Sequence, residues 1–424
     1  MCLAGFVVHF TNAVVSIHVP MKISARLFKH TLAPFARQAA LSSCSYAAIL
    51  VVVLSLGSGL SRTALAQDYL VANDDSFTSG VSFYSIGADG TPTFAQHVAG
   101  PGLGISGGFF GMNRLATVNI GSTQCIFASE AFTSDIMGIV AGSSVAAGAA
   151  TGSATDTGSS NGIGLAANKK HLYASFSDSS TIGTFAIEPG CLLTFVNDVA
   201  VSGLNGGIVD GLAIHKNMLI ATYLDGSIES FNVASGTPVS NGDKQMSTGS
   251  VGGETYPNGI DITQDGHFAI FGDTSTNDVV EVSDISLGRL APTTVYQTHS
   301  GISSSNVLLS PDETILYISN TQGDVVTAAF FDKNTGVITR GCKSASLKDY
   351  VSGWSYLGAL ALQQITGNGG GVYVAEFGAP SGIAVLNLEL AGSSCTLKEA
   401  PGSPVPDEYS RGLLSVGRFP PRSF

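Results

Sequence analysis

Residues Asn161 to Asn168 read NGIGLAAN, a short apolar run opened by a small polar residue and Gly. The same idea returns as DGLAIHKN (Asp210 to Asn217), NGIDITQDG (Asn258 to Gly266) and RGLLSVG (Arg411 to Gly417). A second kind of run follows the first: LYASF from Leu172, LIATY from Leu219, LYISN from Leu316 and VYVAE from Val372. A third alternates, as VSFYSI from Val81, SIESFNV from Ser227 and VVEVSDI from Val279. First-type runs begin near Asn113, Gly162, Gly211, Gly259, Asn306, Gly358 and Gly412, at intervals of 47 to 54 residues. Second-type runs begin near Tyr69, Ile126, Leu172, Leu219, Phe268, Leu316 and Val372. Self-similarity at this period, with several strands per unit, signals a repeat architecture.

The phase of the repeat points to a closed ring. The series opens on a second-type run and closes on a first-type run, so its two ends complement each other. Gly412 to Val416 is expected to serve as the inner strand of a sheet begun by Tyr69 to Val98. Closure of that kind leaves only short protected edges, which suits an all-β, seven-bladed β-propeller of four-stranded blades. An open β-solenoid is the rival, and short strands with Gly, Asn and Asp turns disfavour it. Low charge (12%) and abundant Gly (52 of 424) fit many tight turns and few helices. The low-complexity segment Ala141 to Ser160 (AGSSVAAGAATGSATDTGSS) reads as a surface loop between blades.

Residues 1–66 read as an export leader and 67–424 as one propeller domain. Lys22, Arg26, Lys29 and Arg37 precede the apolar core Tyr46 to Leu56, and Ala64-Leu65-Ala66 supplies a small-x-small cleavage pattern. Met21 followed by Lys22 also resembles a natural start, which would make residues 1–20 an extension. An uncleaved anchor is the alternative. Without the leader the chain carries 14 basic residues (19 less five) against 31 acidic ones, a balance of −17. Such a field repels nucleic acid and anionic lipid, so neither is expected as a partner.

Export puts Cys125, Cys191, Cys342 and Cys395 in an oxidising compartment, where an even set favours two disulfides. Cys191 and Cys395 occupy the same repeat position in blades that are not neighbours, which argues against joining them. Sequence order then favours Cys125–Cys191 with Cys342–Cys395, free buried thiols being the alternative. No CxxC or Cys/His cluster supports a metal site, and no cofactor is expected.

In a four-stranded meander, the residues that open the inner strands gather at one mouth of the central channel. Here these are Asn113, Asn161, Asp210, Asn258, Asn306 and Arg411. They either bond local backbone or form a ring of polar groups around a ligand. Glu254 and Tyr256 (GGETYPNG), His299, and Trp354 with Tyr356 (VSGWSYLG) fall in the same loops. Trp354 and Tyr356 suit a sugar or flat organic ring, or else plug the channel. Asp225, Asp273 and Glu376 follow second strands toward this face. His171, His215 and His267 belong to turns at the opposite mouth, and His97 lies far out on its blade.

The stretch SSSNVLLSPDETILYISNTQGDVVTAAFFDKNTGVIT (Ser303 to Thr339) resembles a blade of the secreted lactonase-like seven-bladed propellers. That group is related to 6-phosphogluconolactonase and the fungal muconate cycloisomerases, and it shares its signatures with non-enzymatic YVTN-type surface propellers. PNGIDITQDGHFAIFGD (Pro257 to Asp273) and NVASGTPV carry the same idiom. Where the enzymes usually show a His-Pro-His-like stretch, this chain has Ser304-Ser305-Asn306.

Two readings follow. One is an exported hydrolase of a cyclic ester, with Glu254 or His299 as base and Arg411 holding the oxyanion or a substrate carboxylate. Its ligand pocket would be lined by Asn161, Asp210, Asn258, Asn306, Trp354 and Tyr356. The other is a non-catalytic propeller that binds a glycan, peptide or cell-surface partner. Either way the expected partner is a small lactone or sugar, or a cell-surface molecule, met by a monomer.

Overall fold

The computed structural model divides into two compact units, Met1–Leu65 and Ala66–Phe424. It describes residues 6–10, 13–17 and 69–419. Within the last range, 75–78, 88, 105–112, 142–149, 156–161, 248–256, 274–278, 299–303, 321–324, 348–355, 364–370, 378–380, 393, 408 and 410–414 lie outside the description. In the first unit Phe6–Phe10 pairs antiparallel with Ala13–Ile17. The described residues contain no helix.

The second unit is a ring of seven antiparallel sheets, numbered I to VII along the chain. Blades II, III, V and VI are four-stranded meanders that run from inner to outer strand, spanning 115–155, 162–200, 257–297 and 304–343. Blade IV (209–246) splits its outer strand into Val239–Ser240 and Gln245–Met246, with Gly242 at φ 71° in the intervening turn. Blade VII (356–407) adds a short strap, Val405–Asp407, beside its third strand. Blade I takes three strands from Tyr69–Ala99 and its inner strand from Ser415–Phe419, with Tyr69 opposite Phe419 and Asn73 opposite Ser415. The closing strand therefore exists as expected, three residues later than the apolar run Gly412 to Val416 indicated. Gly412, Leu413 and Leu414 lie outside the described residues.

Inner strands touch in sequence around the axis, and Ser415–Phe419 meets both Tyr356–Gln363 and Leu115–Ile120 to complete the circle. Seven apolar clusters fill the seven seams. Ile126 and Met137 pack against Val71 and Phe83 between blades I and II, and Leu70 packs against Ile383 between I and VII. Second strands are sandwiched and buried almost throughout; Ile315–Asn320 is buried at every position. The outer strand Leu192–Ala200 alternates exposed and half-buried residues, as an edge strand with one face on the core must.

Both disulfides join neighbouring blades. Cys125–Cys191 ties II to III and Cys342–Cys395 ties VI to VII, each with Cα atoms 5.5 Å apart. The pairing favoured by sequence order is the one formed.

The low-complexity segment is not a loop throughout. Ala150–Thr155 is the outer strand of blade II, paired with Asp135–Ala141. Small residues still offer a full set of backbone N–H and C=O groups, and a sheet edge recruits them without any side-chain pattern.

Candidate functional site

A recurrent irregularity builds the channel mouth. In blades III to VII the inner strand carries one extra residue against its partner, within Gly162–Leu165, Val209–Leu212, Pro257–Ile260, Ser304–Asn306 and Leu357–Leu360. A bulge of this kind bends the strand and re-aims its side chains. Glycine makes it possible: a Cβ on Gly211 would lie 2.4 Å from the Asn258 carbonyl oxygen of the next blade, and one on Gly259 2.5 Å from that of Ser305. Consecutive inner strands touch backbone to backbone here, and no larger residue fits.

Small polar side chains from the second strands satisfy these bulges. The Gly164 amide donates to Ser175 Oγ at 2.8 Å, and Ser175 Oγ donates to the Asp210 carbonyl at 2.6 Å. The Gly211 amide donates to Thr222 Oγ1 at 3.0 Å. In blade I, Asn73 Nδ2 reaches the Ser129 carbonyl of blade II at 2.9 Å. These groups hold the mouth together.

The ladder register places Asp210, Asn258 and Ser305 at one equivalent position on blades IV, V and VI, with Asn113 there on blade II. Asn306 falls one residue further on, at the place of Gly211 and Gly259. On blade III the equivalent residue is Ile163, two beyond Asn161, which lies outside the described residues. Matching Asn161 to Asp210 by the Asn-Gly dipeptide was therefore a two-residue slip, caused by the second glycine of Gly162-Ile163-Gly164. Asp210, Asn258 and Asn306 are all at most 3% exposed. Asn113 sits at φ 61°, and its Nδ2 lies 3.4 Å from the Leu212 carbonyl. Glu254, Tyr256, His299, Trp354 and Arg411 lie outside the described residues; Tyr356 begins the inner strand of blade VII.

Dipeptide matching passed over Arg114. It follows Asn113 at the ladder position that glycine fills in blades III, IV and V, and it is fully buried. It is the one buried cation among the described residues, and its charge acts on Asp210. Burial pushes Asp210 up to about 7, a rise that Arg114 opposes. The mouth thus holds a carboxyl that gains and loses its proton near neutrality, a guanidinium and the three carboxamides of Asn113, Asn258 and Asn306. The Asn306 amide nitrogen is buried with no hydrogen-bond acceptor. The signal for Arg114 was present, since a bulky cation interrupts a glycine column.

The second strands end at this same face. Asp74, Glu130, Asp273 and Glu376 occupy one equivalent position on blades I, II, V and VII, all at most 3% exposed, with Asn320 there on blade VI. Burial pushes Glu130 up to about 7, although its carboxylate accepts the Gly102 amide at 3.0 Å. Asp225, in the turn beyond the second strand of blade IV, accepts the Asn205, Gly207 and Ser227 amides and is a loop anchor. At the opposite mouth His171 and His215 are half-buried against Gly236 and Gly266 of the following blades, and burial lowers both. They are thus packed between turns, whereas His267 is exposed. No group of three or more His, Cys, Asp or Glu side chains able to hold a metal ion occurs among the described residues.

Seven blades closed by strands from both ends, around a channel mouth of inner-strand bulges, define a seven-bladed β-propeller. The chain belongs to the lactonase family of seven-bladed β-propellers, whose sequence pattern matches residues 143–403. Its fold is similar to that of the periplasmic gluconolactonase of Pseudomonas aeruginosa, at 13% identity and TM-score 0.63, covering 83% of this chain and 99% of that one. It is also similar to a candidate 6-phosphogluconolactonase from Bacteroides fragilis (14% identity, TM-score 0.61, covering 84% and 99%). A third similar structure is a functionally unknown protein from Desulfotomaculum acetoxidans (11% identity, TM-score 0.58, covering 82% and 98%). At these identities the likeness shows the fold. No curated protein sequence matches the chain.

Proposed function

We propose that this protein is an exported lactonase that opens a small sugar lactone at the channel mouth, with Asp210 moving the proton and Arg114 holding the developing negative charge. Buried Asp210 within the field of buried Arg114, at the mouth of a lactonase-family ring, carries the proposal. Ionised Asp210 takes a proton from water as the water oxygen attacks the ester carbonyl. The guanidinium stabilises the oxyanion, the ring C–O bond breaks, and Asp210 returns the proton to the departing oxygen. The unpaired Asn306 amide is available to a substrate hydroxyl, and Asn258 stands on the neighbouring blade. Glu254, His299 and Arg411, in the segments leading into inner strands, stay candidates for further acid–base or carboxylate-holding groups, and Trp354 and Tyr356 for the face that meets the sugar.

A base raised to about 7 works only when ionised, so kcat/KM should climb through pH 7 instead of levelling off near pH 4. Asp210→Asn keeps the shape and should lower kcat/KM about 10²- to 10⁴-fold while removing that acid limb. A pH-stat assay with gluconolactone and 6-phosphogluconolactone measures both. Unchanged turnover in Asp210→Asn sinks the assignment of the base. Lactone binding without turnover in the wild type would instead make the protein a binding propeller. Export is supported by the leader pattern and by two inter-blade disulfides, which persist in an oxidising compartment. Amino-terminal sequencing of secreted protein should begin near Gln67; a start at Met1 or Met21 in the mature protein would refute cleavage.

A further inference from the structure

On the seam between blades VII and I, outside the proposed reaction, a second polar cluster has its two carboxyls buried. Asp74 ends the second strand of blade I, Ser82 and Tyr84 come from its third strand and His97 from its outer strand. Asp407 ends the strap Val405–Asp407, and Tyr409 follows it. Asp74, Ser82, Tyr84 and Asp407 are at most 1% exposed. Asp74 Oδ2 accepts Ser82 Oγ at 2.7 Å and contacts His97 Nδ1 at 2.8 Å. Asp407 Oδ1 accepts the Tyr409 amide at 3.0 Å, and the Tyr409 ring stacks on His97 at 4.2 Å, nearly parallel at 3°.

The remaining oxygen of each carboxyl, Asp74 Oδ1 and Asp407 Oδ2, finds no conventional donor. The two carboxyls hydrogen-bond each other, with Tyr84 beside Asp407, and neither has a Lys or Arg partner among the described residues. Two enclosed carboxyls in contact cannot both be ionised without strong repulsion, so a proton must lie between them. Burial first, and then Asp74 itself, push Asp407 up to about 8, while burial pushes Asp74 up to about 7. His97 does not supply the missing charge: burial lowers it, more than Asp407 raises it, which favours a neutral ring against Asp74. On the blade VII side of the strap, Pro406 pairs with Gly382, which lies alongside buried Glu376, another acid.

We propose that the Asp74–Asp407 pair is a proton-dependent clasp on the ring closure, fastening the strap of residues 405–409 to blade I while one proton is shared and releasing it when that proton is lost. Both acids are raised above their unfolded values. The stability they confer is therefore complete below about pH 4 and declines as pH rises through 7 and 8. Because Asp74 ends a second strand, the clasp stands at the channel face that carries Asp210. A more alkaline medium would loosen the seam there and leave the other six intact.

Amide hydrogen exchange in the strap tests this, after correction for the intrinsic pH dependence of exchange. In the wild type, opening of residues 405–409 should grow about tenfold per pH unit above pH 4, as release of one proton on opening requires, and level off beyond about pH 8, where the closed strap has lost that proton too. Val337–Lys343 of blade VI, as internal reference, should not follow. Asp407→Asn bonds to an ionised Asp74 without titrating, so its strap should show opening independent of pH. Should that variant fail to fold, Asp74→Asn takes its place, and the wild-type profile alone still decides. Equal strap protection at pH 6 and 9.5 in the wild type, or an unchanged pH dependence in a folded variant, overturns the clasp.

Discussion

A chain ending at Ser410 should not form the ring. The cut removes Ser415–Phe419 and leaves Tyr69 to Asn73 without ladder partners on the inner side, although Leu70, Val71 and Ala72 are fully buried in the intact protein. Leu115–Ile120 and Tyr356–Gln363 lose the neighbour that joins them. Each buried backbone group left unmade costs about 1–3 kcal/mol. A handful of them, together with newly exposed apolar surface, matches the roughly 5–15 kcal/mol that holds a whole domain. The expected result is loss of the cooperative thermal transition and an enlarged hydrodynamic radius. A truncated protein that melts like the full chain would mean that the closing strand contributes little.

Reducing both disulfides should have an effect of similar size. The bonds close loops of 66 and 53 residues. Constraining the unfolded chain over loops that long is worth about 4 kcal/mol each in the chain-entropy picture. Loss of both should bring the urea midpoint close to zero. The double variants Cys125→Ser/Cys191→Ser and Cys342→Ser/Cys395→Ser should each shift it about halfway. Midpoints indifferent to reductant would show that neither bond stabilises the ring. Expression in a reducing cytosol should accordingly yield little folded protein.

The ring was legible because its signals recur. Seven second strands of the LYISN kind are buried on both faces and read as continuous apolar runs, and the phase mismatch between the ends announced the closing strand. Blade II's outer strand was not legible. Ala150–Thr155 (ATGSAT) carries only small side chains and no apolar alternation, and its pairing comes from the edge it completes. Bulges were equally invisible, since one extra residue in a ladder leaves no mark on hydropathy. That is why the Asn-Gly dipeptide at Asn161 seemed equivalent to Asp210. His97 illustrates the remaining gap: its distance from the channel was readable, whereas its bond to Asp74 depends on how an outer strand folds back over a second one.

The site was half legible. Asp210, Asn258 and Asn306 stand at the mouth because inner-strand starts occupy equivalent places in a ring. The cation was sought at Arg411 because it opens the last apolar run. Arg114 occupies the glycine column of blade II and supplies the charge that Asp210 feels. Charge in a column of glycines is a stronger signal than charge at the start of a run, because that column is where backbones touch.

Tyr69 lies opposite Phe419, the last rung at one end of their ladder. A load drawn between these two residues would therefore peel the ladder open one rung at a time, with no need to break all rungs together. Neither disulfide resists it, since both staple blades away from this seam. In mechanical terms the ring is a clasped bracelet, soft against a pull on its fastening.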